Sequence, residues 1–401
     1  MASIVPAPPP RKSNRPPGLA VFALGFRPFF LLAGISAFAM MGVWIAVLTG
    51  YAPLATYFDP VGWHSHEMLF GYTAAVIGGF LLTAVQNWTG RRSVHGKTLI
   101  ILTIVWIAAR VMIVSPGPFP DWITAVVDLS FLPALGLAIA IPLLKTQQRR
   151  NYLFVPLLLA LFGANVLVHL QSLQVTQHTA RLGIFLALNL VILLIVIMGG
   201  RVIPFFTERA LPHVKTRSWR WVEMIAVGSI VLLLVAELFA PDSDLVLLLA
   251  ALAFIANALR LMGWQPWRVA PVPLVWVLHL GYGWIIVGLI LKALSFANPE
   301  LGAVGVHALT LGGIGGLTLG MMARVAIGHT GRQMTVGWDM TLAFGLIHLS
   351  AFIRVLFPVI IPGHYLQWVS LSGILWMVAF LLFVIRFTPI LLQPRIDGRE
   401  G

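Results

Sequence analysis

Twelve apolar runs, each close to the ~20 residues that cross a ~30 Å hydrocarbon layer as helix, follow one another along this 401-residue chain. They fall at about 21–48, 66–88, 98–114, 122–144, 152–172, 181–204, 219–240, 244–263, 273–296, 303–327, 339–358 and 366–390. Lipid offers no partner to a backbone N–H or C=O, so runs of this kind must be helices that satisfy their own polar groups. The sequence therefore predicts an all-α polytopic membrane protein with about twelve transmembrane helices. Charged residues make up 10% of the chain, against roughly 25% in soluble domains, which excludes an ordinary globular fold. A formal net charge of +13 would suggest nucleic acid in a soluble chain. Here Lys and Arg sit in short loops between apolar runs, and no nucleic-acid partner is expected.

Residues 1–17 hold six prolines and three basic residues and are expected to form a disordered cytoplasmic tail. Residues 18–392 then form a single twelve-helix transmembrane domain, and 393–401 a second cytoplasmic tail. The run at 21–48 is too long for a cleaved signal segment and is read as a retained helix. Alternate loops hold 22 of the 26 Lys and Arg residues. By the positive-inside bias, that side and both termini face the cytoplasm. Arg110, Arg181, Lys292 and Arg354 fall on the other side, mostly near helix ends, where snorkelling would keep their charges wet.

Such a chain has few places for chemistry, and histidine marks most of them. With no cysteine in the sequence, thiolate metal sites, iron–sulfur clusters and c-type haem attachment are excluded, leaving His, Met and carboxylate as ligands. Topology puts His64 and His66 at the outer start of the second run, His169 near the outer end of the fifth and His307 near the outer start of the tenth. Four imidazoles from three helices thus share one outer layer, and we expect a metal site there. Glu67 is placed to accept an N–H from a ligand imidazole, or simply to favour a helix N-terminus. His279 and His329 lie towards the inner side, and His348 falls mid-helix without an evident role. A lone buried histidine is also satisfied by a backbone carbonyl, and the arginines at inner helix ends are accounted for by topology alone.

The second and tenth runs share a plan. His66 precedes Thr89-Gly90-Arg91 by 23 positions, and His307 precedes Thr330-Gly331-Arg332 by the same interval. Gly71, Ala75 and Gly79 match Gly312, Gly316 and Gly320, a small-residue spacing that lets membrane helices approach closely. At 100° per residue both stripes should lie opposite their histidine.

The segment Trp63-His64-Ser65-His66-Glu67-Met68-Leu69-Phe70-Gly71, with Gly79 through Arg91, resembles the NnrS family. Gly25-Phe26-Arg27-Pro28-Phe29-Phe30, Gly200-Arg201-Val202-Ile203-Pro204 and the stretch from His307 to Arg332 fit the same resemblance. It implies a twelve-helix protein of the bacterial inner (cytoplasmic) membrane that contains haem, b-type without cysteine, and copper, and that is associated with nitric oxide tolerance and denitrification. It carries over His64, His66, His307 and His329, with Arg91, Arg201, Arg324 and Arg332, and less directly His169 and His279. We therefore expect the outer layer of His64, His66, His169 and His307 to hold metal. We expect His279, His329, Arg91, Arg201, Arg324 and Arg332 to serve a haem, the arginines pairing its propionates. Whether a reaction is catalysed is left open. The contrasting reading is a secondary transporter or channel, and a redox enzyme with the helix number of haem–copper oxidases is a third.

Overall fold

The computed structural model describes residues 20–51, 55–115, 117 and 119–399; the proline-rich tail expected at 1–17 lies outside them. Twelve helices are long and apolar enough to cross a membrane, and no strand occurs among the described residues. They are α1 (Phe26–Leu48), α2 (Pro60–Thr89), α3 (Gly96–Val114), α4 (Asp121–Lys145), α5 (Phe154–Ser172), α6 (Thr179–Ala210), α7 (Arg220–Phe239), α8 (Asp244–Gly263), α9 (Pro273–Leu294), α10 (Glu300–His329), α11 (Trp338–Ile360) and α12 (Tyr365–Leu392). An even number of crossings returns the chain to the side it started from. There the N–H of Ala20 donates to the carbonyl of Leu392 at 2.8 Å. We call this the termini side and its opposite the far side.

Three of these helices carry the argument. In α1 the fully buried Arg27 donates to the carbonyls of Leu391 at 2.9 Å and Gln393 at 2.7 Å. A cation satisfies the orphan carbonyls at the end of α12 and complements that helix's dipole, which ties the first helix to the last. α2 starts six residues before its apolar run, because Asp59 accepts from the N–H groups of Val61 and Gly62 and Pro60 takes the first helical position. α2 is the most enclosed of the twelve, with 83% of its membrane window buried, and α10 follows at 72%, level with α6. They form the interior around which the others stand.

Both interior helices change winding at the same point. After His66, residues Glu67–Thr73 are π-helical, and after His307 so are Ala308–Gly315. A wider turn abandons the 100° step on which the expected placement of each glycine stripe opposite its histidine was reckoned. The stripes are nevertheless packing surfaces. Gly79 admits Phe29 and Phe30 of α1, Gly312 admits Trp284, Gly316 admits His348 and Gly320 admits Val277 and Leu278. Each stripe serves its own neighbours, α1 and α3 for α2, and α9 and α11 for α10. Both helices end at a left-handed glycine, Gly90 at φ 66° and Gly331 at φ 76°, a conformation that a side chain would strain.

Candidate metal centre

On the far side, α2, α3, α4 and α5 bring six polar side chains into one buried cluster. Its ligand-bearing core is His66, Asp128 and His169, whose candidate donor atoms lie within 4.8 Å of one another. His169 Nε2 stands 3.0 Å from Asp128 Oδ2, and His66 Nε2 stands 3.3 Å from the same oxygen. Each imidazole is anchored through its other nitrogen. His66 Nδ1 donates to Glu67 Oε1 at 3.1 Å, and His169 Nδ1 lies 3.2 Å from the Tyr57 hydroxyl. Burial, with Asp121 and Asp128 nearby, pushes the acidity of Tyr57 weaker, so its hydroxyl stays protonated. Fixing Nδ1 turns both Nε2 atoms inward, which is how oxygen acceptors behind ligand histidines set tautomer and orientation at metal sites.

The rest of the cluster holds the carboxylates. Arg110 of α3 pairs with Asp128 and lies 3.2 Å through Nε from Glu67 Oε2. Asn165 of α5 donates to Asp128 Oδ2 at 2.7 Å, while its carbonyl oxygen lies 3.0 Å from His66 Nε2. His66 is 0%, Glu67 0%, Asn165 1% and His169 1% exposed, so water does not balance the charges. With both carboxylates ionised and both imidazoles neutral, two negative charges face one guanidinium, and the cluster carries net −1. Moreover, every polar neighbour of His66 is an oxygen acceptor, on both ring nitrogens, whereas a neutral imidazole has one N–H. Geometry and charge call for one further cation among Nε2, Nε2 and Oδ2, as a proton or as a metal ion.

A family model described as NnrS protein matches residues 20–395. The chain belongs to the NnrS family. No curated protein matches it.

The structure separates the sequence-predicted residues of this NnrS chain. His66 and His169 meet in the cluster. His64 and His307 do not join them: His64 stacks on Trp44 with ring centroids 4.4 Å apart, and both lie within electrostatic range of Arg354. Residues two apart on a helix point to different sides, which parts His64 from His66, and His307 is bonded through Nδ1 to the Ala303 carbonyl of its own helix at 2.8 Å. On the termini side, His329 and Arg324 line one cavity of about 690 Å³ with Arg209, Phe206 and Met334. Its size is that of small-molecule sites, roughly 300–1,000 Å³. Arg324 is 5% exposed, its guanidinium stands 3.8 Å from the Phe206 ring centroid, and its Nε and Nη1 are buried without a partner. His279 is outside that cavity, with Nδ1 bonded to the Val275 carbonyl at 3.0 Å and Nε2 3.5 Å from the Thr207 hydroxyl.

The remaining arginines are dispersed. Arg91 is exposed, Arg201 donates to Asn151 at 3.1 Å, and Arg332 lies outside the cavity that Arg324 lines. His348 packs against Gly316 with both ring nitrogens unpartnered. Sequence reasoning missed Asp128, Arg110, Asn165 and Tyr57. Arg110 was expected to snorkel and instead turns inward, because two buried carboxylates solvate it better than a distant interface. Asp128 did leave a signal, being the one carboxylate inside the apolar run at 122–144, and an ionisable group at that depth marks a site by default.

Proposed function

We propose that this protein binds a metal ion at His66, Asp128 and His169, binds haem in the termini-side cavity, and serves the response to nitric oxide in a bacterial inner membrane with both termini cytoplasmic. The observation that carries the metal reading is the pair of inward Nε2 atoms on one carboxylate, each imidazole held from behind by an oxygen. The donor set of two imidazoles and a carboxylate suits copper or zinc, and imidazole is the ligand both share. The family's copper is assigned here for that reason. His66 and His169, through Nε2, and Asp128, through Oδ2, would hold the metal, which would supply the positive charge that the cluster lacks. Asn165 stays on the Asp128 carboxylate, and Arg110 holds both acids in place.

For haem, the cavity on the termini side offers one imidazole, His329, an aromatic wall at Phe206, and Arg324 and Arg209 as cationic partners for propionates. The unpartnered nitrogens of Arg324 support that fit, since a buried guanidinium is expected to find acceptors. His329 would hold the haem iron, which would supply the capacity to bind a diatomic ligand. His279 and the arginines at 91, 201 and 332 have no part in this reading. Nitric oxide is small and uncharged and reaches either depth through lipid.

The decisive experiment is elemental analysis with oxidised and reduced optical spectra of the purified protein, alongside His66→Ala, His169→Ala and His329→Ala. The first two should lose metal and keep the haem spectrum, and the third should do the reverse. Wild-type metal content in both His66→Ala and His169→Ala would overturn the assignment.

A further inference from the structure

The matched plan of α2 and α10 extends to their neighbours. In each, a histidine stands directly before a π-helical segment, and a Thr-Gly-Arg turn closes the termini side. α2 packs on α1, α3 and α4, while α10 packs on α9, α11 and α12. The helix that follows carries one buried arginine in its far half, Arg110 in α3 and Arg354 in α11. Four helices are thus laid out twice, with α5 to α8 between the copies.

The copies differ in their acids. Beside Arg110 stand Glu67 and Asp128. In the second copy Ala308 occupies the place directly after the histidine, and α9 and α12 contain no carboxylate. The acids of α10 and α11 are Glu300, exposed at the far tip, and Asp339 at the opposite end, 3.6 Å from Arg386. Arg354 is 9% exposed, and the hydrogen bond recorded for it is from Nη2 to the Tyr365 hydroxyl at 3.1 Å. His307 spends its Nδ1–H on the Ala303 carbonyl at 2.8 Å. His64, stacked on Trp44, has a buried Nδ1 with no partner. Counted with neutral imidazoles, the first cluster is net −1 and the second +1, and among the described residues no carboxylate pairs with Arg354.

We propose that Arg354 and the Tyr365 hydroxyl hold a small inorganic monoanion of the size of chloride or nitrite. A guanidinium taken out of water requires a counter-charge, and N–H and O–H donors around it make charge-assisted hydrogen bonds. The anion completes in the second copy what Glu67 and Asp128 complete in the first.

The test uses the full chain, purified in lipid-free detergent and also in phosphatidylcholine nanodiscs, with thermal unfolding followed against sodium chloride or bromide at ionic strength fixed with gluconate. Wild type should gain stability saturably with either halide in both media. Arg354→Gln should need at least tenfold more halide for the same gain, and Arg354→Lys should fall between. In bromide-soaked crystals an anomalous peak should lie beside the Arg354 guanidinium. If Arg354→Gln does not fold, Arg354→Lys and the wild-type bromide map decide. Equal halide dependence in wild type and the variants, no bromide at Arg354, or a response in detergent only, pointing to lipid phosphate at the site in the bilayer, would each overturn the proposal. The metal content at His66 and His169 should be unchanged in both Arg354 variants, which separates this outcome from that of the metal reading.

Discussion

Asp128→Asn is the substitution that tests the metal centre most directly. It keeps the shape of the side chain and removes one unit of charge from the oxygen that both Nε2 atoms approach, at 3.0 and 3.3 Å. A unit charge about 4 Å from a cation is worth ~4 kcal/mol at an effective dielectric near 20, which sets a ceiling of about 10³-fold on the loss of metal affinity. The amide oxygen remains a weak ligand, so the expected loss is about 10²-fold, or ~2.7 kcal/mol. Folding should suffer less. Removing one partner from a buried pair costs about 3–5 kcal/mol when the other charge is stranded, but Arg110 keeps Glu67 at 3.2 Å. We therefore expect a destabilisation of ~1–3 kcal/mol, mostly from Asn165, whose donor would meet an amide in place of a carboxylate. The assay is metal content against a graded series of chelator concentrations, with thermal unfolding of the metal-free protein in parallel. Affinity within about threefold of wild type, far below the worked charge effect, would refute the argument, as would an equal loss in Arg354→Gln, which leaves the cluster intact.

Other expectations follow from the same geometry. Glu67→Gln keeps the hydrogen bond to His66 but weakens it, and the loss of an outer acceptor of this kind typically lowers metal affinity about 10- to 100-fold; the chelator series reads it, and no change would show that Glu67 serves Arg110 alone. Arg324→Gln should weaken haem retention by ~1.5–3 kcal/mol, the worth of a hydrogen bond to a charged group, while Arg91→Gln and Arg201→Gln leave it unchanged; equal Soret absorbance in all three variants would remove Arg324 from the cavity's chemistry. Gly200→Ala would drive a methyl into the guanidinium of Arg260, which is paired with Glu223 and donates to the Tyr282 hydroxyl at 2.9 Å. Overpacking of this sort costs about 1–3 kcal/mol, and an unchanged unfolding temperature would show that the pair yields freely.

The interior of this bundle shows how far a sequence can be read and where it stops. The number of helices, their lengths and the importance of α2 and α10 follow from apolar run length and from the repeated spacing of His, small residues and Thr-Gly-Arg. Those are local properties, fixed by the 1.5 Å rise of a helix and the thickness of lipid. The depth of each histidine followed too, since depth is only position along a helix of known direction. Azimuth did not. A π-helical segment after each histidine rotates everything beyond it, and no residue pattern in Glu67–Thr73 or Ala308–Gly315 announces the wider turn. Which groups share a depth and also face one another is decided by packing between helices far apart in sequence. Tertiary structure therefore split one expected layer of four histidines, gathering His66 and His169 into one cluster and leaving His64 and His307 outside it. It joined His66 to His169 through Asp128, 41 residues from one and 62 from the other by their numbers. It left His64 and His307 with an arginine. The sequence determined which side chains are costly to bury in a membrane; only the fold decided which of them offset one another, because charge compensation depends on distances of a few ångströms that no single helix contains.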